Sequence, residues 1–324
     1  MRPTLFRFGQ CLVAASLILC SHIAAHADST LQPVAPSDDL PASTLIYVSD
    51  YISFVGQDVH GHVAFALDTN RGRDGDTYQA EHFLVIHDEY KGWTNLVGNG
   101  RFENTNKDLN RIPDSPSFQF RGSPLTGLTV TSEKNQLTLR IEPLVKRTKN
   151  SHAGAIVWMS SASAVLNWQG RSIPGRVIYE YLVMPDFNRL TRTYWGMWKE
   201  FQGLYLTAGD KADVYAHSQL SERIAPLIGT VSGFAAFDEE TESMTDLNVT
   251  TLSREWTLGF YRWPTAWRIT WTGPNGPAVL NLMQSDRRKI GNWAIGGFAM
   301  SIVRGELDYA GKQLRIYGFA ELMM

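Results

Sequence analysis

The run "RVIYEYLV" places Glu180 between Tyr179 and Tyr181 in an otherwise apolar stretch. An ionised carboxylate is costly to bury unpaired, so burial would raise its pKa. A raised pKa suits a general acid near neutral pH. Glu180 is therefore the first candidate for proton transfer, with Tyr179 beside it as a ligand-binding candidate. The competing reading is a salt bridge to Arg176 or Arg192. A second set is Asp213-Val214-Tyr215-Ala216-His217. Alternate side chains of a strand share a face. Asp213, Tyr215 and His217 would then present acid, phenol and imidazole in a row, able to protonate an alkene or polarise a carbonyl. The same alternation also marks any half-exposed strand.

His60 and His62 flank Gly61, and Glu81, His82 and His87 follow closely. Two imidazoles on one strand face and a third from the next strand are a set that zinc or iron accepts. His60, His62 and His82 are the candidate ligands. Ala64 and Ala66 stand where an acidic fourth ligand would be expected, so we read rim histidines and no metal requirement. In "DTNRGRDGDTYQ", Asp68, Asn70, Gly72, Asp74 and Asp76 recur at every second position, the pattern that opens a calcium loop. Such a loop needs Gly at its sixth place and a bidentate Glu at its twelfth. Arg73 and Gln79 stand there instead. The stretch reads as a long, charged hairpin.

Trp263, Trp267 and Trp271 are four apart, and Pro264 argues against a helix interior. On a strand they share one face. Trp195 and Trp198 would lie on opposite faces of theirs. Trp195, Trp198, Trp263 and Trp267 are candidates for lining an apolar pocket, where ring faces would steady a cationic species. Plain core packing is the competing reading.

Several chemistries are excluded. Both cysteines, Cys11 and Cys20, fall in an N-terminal leader, so the mature chain has no thiol nucleophile, thiolate metal site or disulfide. There is no G-x-S-x-G, no phosphate-binding loop and no dinucleotide fingerprint. Net charge is −2 with no basic run, so nucleic acid is not an expected partner. No cofactor is expected.

The elements that must position these residues are strands. From Leu45 onward the chain runs through short segments rich in β-branched and aromatic residues, broken by Gly, Asn, Asp and Pro. Only 218–228, "SQLSERIAPLI", shows a helical stripe. The expected fold is all-β: two antiparallel barrels or half-barrels packed side by side. The best boundary is "VMPDFNRLTR" at 183–192, which divides the chain into domains over 45–185 and 186–324. No internal repeat is evident. Residues 1–27 read as a signal peptide. Arg2 and Arg7 precede an apolar run, and Ala25-His26-Ala27 offers a small-x-small cleavage site. Residues 28–44, polar and proline-rich, read as a disordered tether. The mature protein is expected to be periplasmic or secreted.

The order of segments resembles the two-domain lipocalin-like proteins that include carotenoid 1,2-hydratase (hydroxyneurosporene synthase) and related fungal Diels–Alderases. Three segments carry the resemblance. They are the strand Gly175-Arg176-Val177-Ile178-Tyr179-Glu180 closing the first half, the Trp-containing stretch 195–206 opening the second, and Gly318-Phe319-Ala320-Glu321 at the end. The hydratases carry a His-x-Trp pair that this chain lacks. The resemblance implies two lipocalin-like domains and a pocket for a long apolar molecule. The expected protein is thus an exported hydratase, cyclase or isomerase acting by acid catalysis on a hydrophobic, isoprenoid-like small molecule. The alternative is a carrier of a lipid or pigment. Peripheral membrane contact is compatible with either.

Overall fold

The computed structural model describes residues 30–33, 45–94, 98–144, 146–152, 155–185, 200–221, 228–256, 262–293 and 296–323. Every regular element among them is a strand. The first sheet contains β1 (Thr30–Pro33), β2 (Leu45–Asp58), β3 (Gly61–Asp74), β4 (Thr77–Asp88), β5 (Gly92–Thr94), β6 (Asn99–Glu103), β7 (Gln119–Ser123), β8 (Gly127–Ser132), β9 (Leu137–Ile141), β10 (Lys146–His152), β11 (Ala155–Trp168) and β12 (Arg171–Pro185). The second contains β13 (Glu200–Thr207), β14 (Ala212–Ser221), β15 (Ile228–Phe237), β16 (Glu240–Glu242), β17 (Thr245–Trp256), β18 (Arg262–Gly273), β19 (Gly276–Trp293), β20 (Gly296–Tyr309) and β21 (Lys312–Met323).

Each sheet is an antiparallel meander whose first long strand pairs with its last: β2 with β12, and β13 with β21. That closure curls each sheet into a half-barrel around its own core. The two sheets therefore share a topology that no repeat in the sequence announces.

Strand parity sorts the side chains. On β2, Ile52 and Phe54 enter the first half-barrel, while Tyr51 and Val55 point out of it. The outward faces of both sheets pack on each other through Tyr51, Ile178, Tyr205, Phe234, Met300 and Phe319 among others. Strands such as β3 are thus buried on both faces. This is why "VAFAL", 63–67, reads as an unbroken apolar run. Two glycines of the motif segments sit where strands approach closely. A Cβ at Gly175 would strike the Val55 carbonyl, and one at Gly318 would strike the Tyr205 carbonyl. Each glycine lets a last strand nestle against a first strand shortly before it delivers a glutamate.

Some expectations change. Asp68 to Asp74 belong to β3, and the hairpin turn is only Gly75-Asp76, with Gly75 at positive φ. Ser218–Ser221 extend β14 and do not start a helix, because they pair with Ile228–Val231 of β15. Residues 222–227 lie outside the described set. Thr30–Pro33, within the stretch read as a tether, pair with β10. A bare strand edge recruits backbone whatever its side chains.

Candidate active site

A cavity of about 740 Å³ lies between the two sheets. Its apolar lining includes Val157, Leu182, Met184, Phe201, Phe298 and Met323. Polar groups converge on it from both sheets. Asp68 on β3 and Glu180 on β12 come from the first; Tyr205 on β13, Tyr215 on β14 and Glu321 on β21 come from the second.

Glu180 is at the centre of a phenol array. Tyr51 is its register partner on β2. Across the seam the Tyr205 hydroxyl donates to Glu180 Oε2 at 3.1 Å, and Tyr215 also donates to this carboxylate. The rings of Tyr51 and Tyr205 stack at 4.7 Å, and those of Tyr205 and Tyr215 lie 5.0 Å apart. Burial pushes the Glu180 carboxyl up to about 7. The two phenol donors, which stabilise the carboxylate, hold the rise in check, and Asp68 adds to it. Asp68 rises to about 6, again through burial, while accepting hydrogen bonds from Ser49 at 2.8 Å and Asn70 at 2.9 Å. A carboxyl poised near neutrality can give up or take a proton under ordinary conditions.

Glu180 also makes stability depend on pH. Between its ordinary value of 4.5 and about 7, the folded chain retains a proton that the unfolded chain has lost. This contribution to stability therefore falls as pH rises through that window. Urea melts across it should show Glu180→Gln losing less stability than wild type. An unchanged slope would mean that the carboxyl is not held neutral in the fold.

The second candidate set is split. Tyr215 and His217 line the cavity, and His217 Nδ1 lies 3.4 Å from Ser232 Oγ. Asp213 does not line it. It is buried against Arg176, which donates to Asp213 Oδ2 from Nη2 at 2.7 Å and from Nε at 3.1 Å, and it accepts from Thr207 Oγ1 at 2.9 Å. The pair ties β12 to β14, so Asp213 is a clamp between the sheets and not an acid in the cavity.

The aromatic candidates are also redistributed. Tyr179 points into the first half-barrel, where its hydroxyl donates to Asp50, itself paired with Arg71. Trp263 and Trp267 pack in the core of the second half-barrel, and Trp267 Nε1 donates to Gln202. They share a strand face as expected, but that face turns toward the sheet's own interior. Trp195 and Trp198 lie outside the described residues.

The histidines do not converge. His60 is exposed in the β2–β3 turn. His62 faces the seam, with Nδ1 3.0 Å from Glu89 and its ring stacked on Tyr317 at 4.3 Å. His82 pairs in register with Thr69, on the opposite face of the sheet, and also borders the cavity. Its Nδ1 lies 3.0 Å from Ser115 Oγ, and burial pulls its pKa down to about 4. Parity alone thus separates His62 from His82. Among the described residues no three His, Cys, Asp or Glu side chains come together as metal ligands.

Sequence reading passed over Asp68, Glu321, Tyr51 and Tyr205 as cavity groups. Glu321 carried the same signal as Glu180: an acid in the apolar run "YGFAEL" with the parity of Phe319. Asp68 was masked by the acidic stretch that follows it.

No family model matches the chain, and no curated protein matches it in sequence. Solved structures do match in fold. CghA, crystallised with Sch210972, superposes with a TM-score of 0.54 at 11% identity, over 90% of this chain and 94% of that one. The Nitrosomonas europaea protein NE1406, a candidate AttH, gives a TM-score of 0.57 at 12% identity, over 90% of this chain and 98% of its own. The chain has the two-domain, lipocalin-like all-β fold of these proteins.

Proposed function

We propose that the protein is an exported enzyme of the hydratase, cyclase or isomerase type, working by cofactor-free acid–base catalysis on a hydrophobic molecule. One observation carries the reading: Glu180 is poised near pH 7 inside a largely apolar cavity, held by two phenols of the facing sheet. In a hydration, the Glu180 carboxyl gives its proton to an alkene carbon. Water forms the new C–O bond, and the proton that water loses returns to Glu180, so the acid is regenerated. In a cyclisation or isomerisation a bond within the substrate replaces water. Asp68 and the faces of Tyr51, Tyr205 and Tyr215 would stabilise positive charge that develops nearby. That the same fold holds Sch210972 in CghA supports a ligand-binding role for such a protein.

The test is incubation of the purified mature chain with an organic extract of its host in water enriched in oxygen-18. Loss of one extract component, with gain of a labelled hydrate or an isomer of equal mass, is the expected result. A component that binds stoichiometrically and is released unchanged would instead identify a carrier.

A further inference from the structure

Four acidic residues line the cavity; Glu81 is exposed, and the hydrogen bonding of the other three differs. Asp68 is held by Ser49 and Asn70, and Glu180 by Tyr205 and Tyr215. Glu321 receives no hydrogen bond from any described residue; its electrostatic neighbours are Asp68, Glu180 and the phenols of Tyr47, Tyr51, Tyr205 and Tyr215. The register of β21 explains this. Its partners across the two adjacent strands are Gly203 and Met300, neither of which has a side-chain donor. The Glu321 side chain is partly buried and lines the cavity, so its carboxyl is open to a molecule bound there.

We propose that Glu321 is the specificity residue of this cavity, its carboxyl hydrogen-bonding an acceptor oxygen, a carbonyl or a hydroxyl, on an otherwise apolar substrate. Burial and the two neighbouring carboxyls hold Glu321 well above the ordinary carboxylate range. That direction favours the neutral form, which can donate a hydrogen bond as a carboxylic acid can in an apolar site. Glu180, on the opposite wall and steadied by two phenols, remains the group that exchanges its proton. The inference rests on this cavity being the substrate site. It narrows the substrate from any hydrophobic molecule to an oxygenated one and disfavours a plain hydrocarbon. A site that hydrogen-bonds a ligand oxygen rejects the analogue lacking it far more strongly than an apolar pocket rejects a missing methylene.

The experiment compares 2-acetylnaphthalene with 2-isopropenylnaphthalene, which differ in C=O against C=CH2, by equilibrium dialysis with the full mature chain. Wild type is expected to hold the ketone about ten-fold tighter or more. Glu321→Leu should remove that preference, weakening the ketone and relieving the penalty on the isostere. Glu321→Gln, which keeps an N–H donor, should retain part of it. The infrared stretch of a carbon-13-labelled carbonyl should be lower when bound to wild type than to the Leu variant. Equal binding of the two probes, or a preference that survives Glu321→Leu, overturns the proposal. So does failure of wild type to bind either probe. The enzyme reading fails separately: a Glu321-dependent ketone preference in a protein that converts nothing leaves this inference standing and removes catalysis. Conversion that persists without the preference does the reverse.

Discussion

Glu180→Gln is expected to lower turnover by about 10²–10⁴-fold, the usual contribution of a positioned acid or base. Gln has nearly the shape of Glu and its amide oxygen still accepts from the phenol that faces it, but it has no acidic proton to transfer. Substrate affinity should therefore change little, and the loss should fall on the chemical step. The pH profile sharpens the prediction. If the protonated form acts, the wild-type rate is level below about 7 and falls above it, as the carboxyl ionises. The Gln variant should lack that limb. Tyr205→Phe and Tyr215→Phe should each move it to higher pH, because each removes a donor that favours the carboxylate. The measurement is single-turnover rate against pH with the substrate recovered from the host extract. A Gln variant as fast as wild type would remove Glu180 from the mechanism.

The largest expected effect on stability is elsewhere. Asp213→Ala should cost about 3–5 kcal/mol, the range for breaking a buried ion pair by removing one partner. The side chains of Arg176 and Asp213 are only 7% and 2% exposed, so Arg176 would keep a buried charge with little compensation. Glu239, the other carboxylate within reach at 3.1 Å, is 68% exposed and screened by solvent. A double replacement, Arg176→Met with Asp213→Leu, should recover most of the loss, since apolar residues of similar volume often substitute for such a pair without penalty. Urea denaturation decides it. A loss below about 1 kcal/mol for Asp213→Ala, the scale of a surface pair, would show that the clamp is not buried as described.

Some of the cavity was legible before the fold was known. An acid among aromatics is chemically out of place in a buried strand, and that mismatch marks Glu180 wherever the strand lies. The same mismatch was present at Glu321, where only its place in the closing segment was weighed. Alternation correctly put Asp213, Tyr215 and His217 on one face. It could not show that Arg176 of the other sheet faces Asp213 while Glu180 faces Tyr215. Nor could it show which way the tryptophan face of β18 turns.

The sequence alone determined what strand chemistry dictates locally: an all-β chain, the parity of each strand, and residues too polar for the surroundings they must occupy. Those features are encoded at a period of two residues and need no partner to be read. Only the tertiary structure decided which outward face meets which. The seam is built from contacts between residues far apart in sequence, such as Tyr51 with Tyr205 and Glu180 with Tyr215. It turned one expected row of three polar groups into two cavity groups and a clamp, and brought Asp68 and Glu321 into the field of Glu180. Pairings of this kind depend on how two curled sheets pack, and no local pattern carries that information.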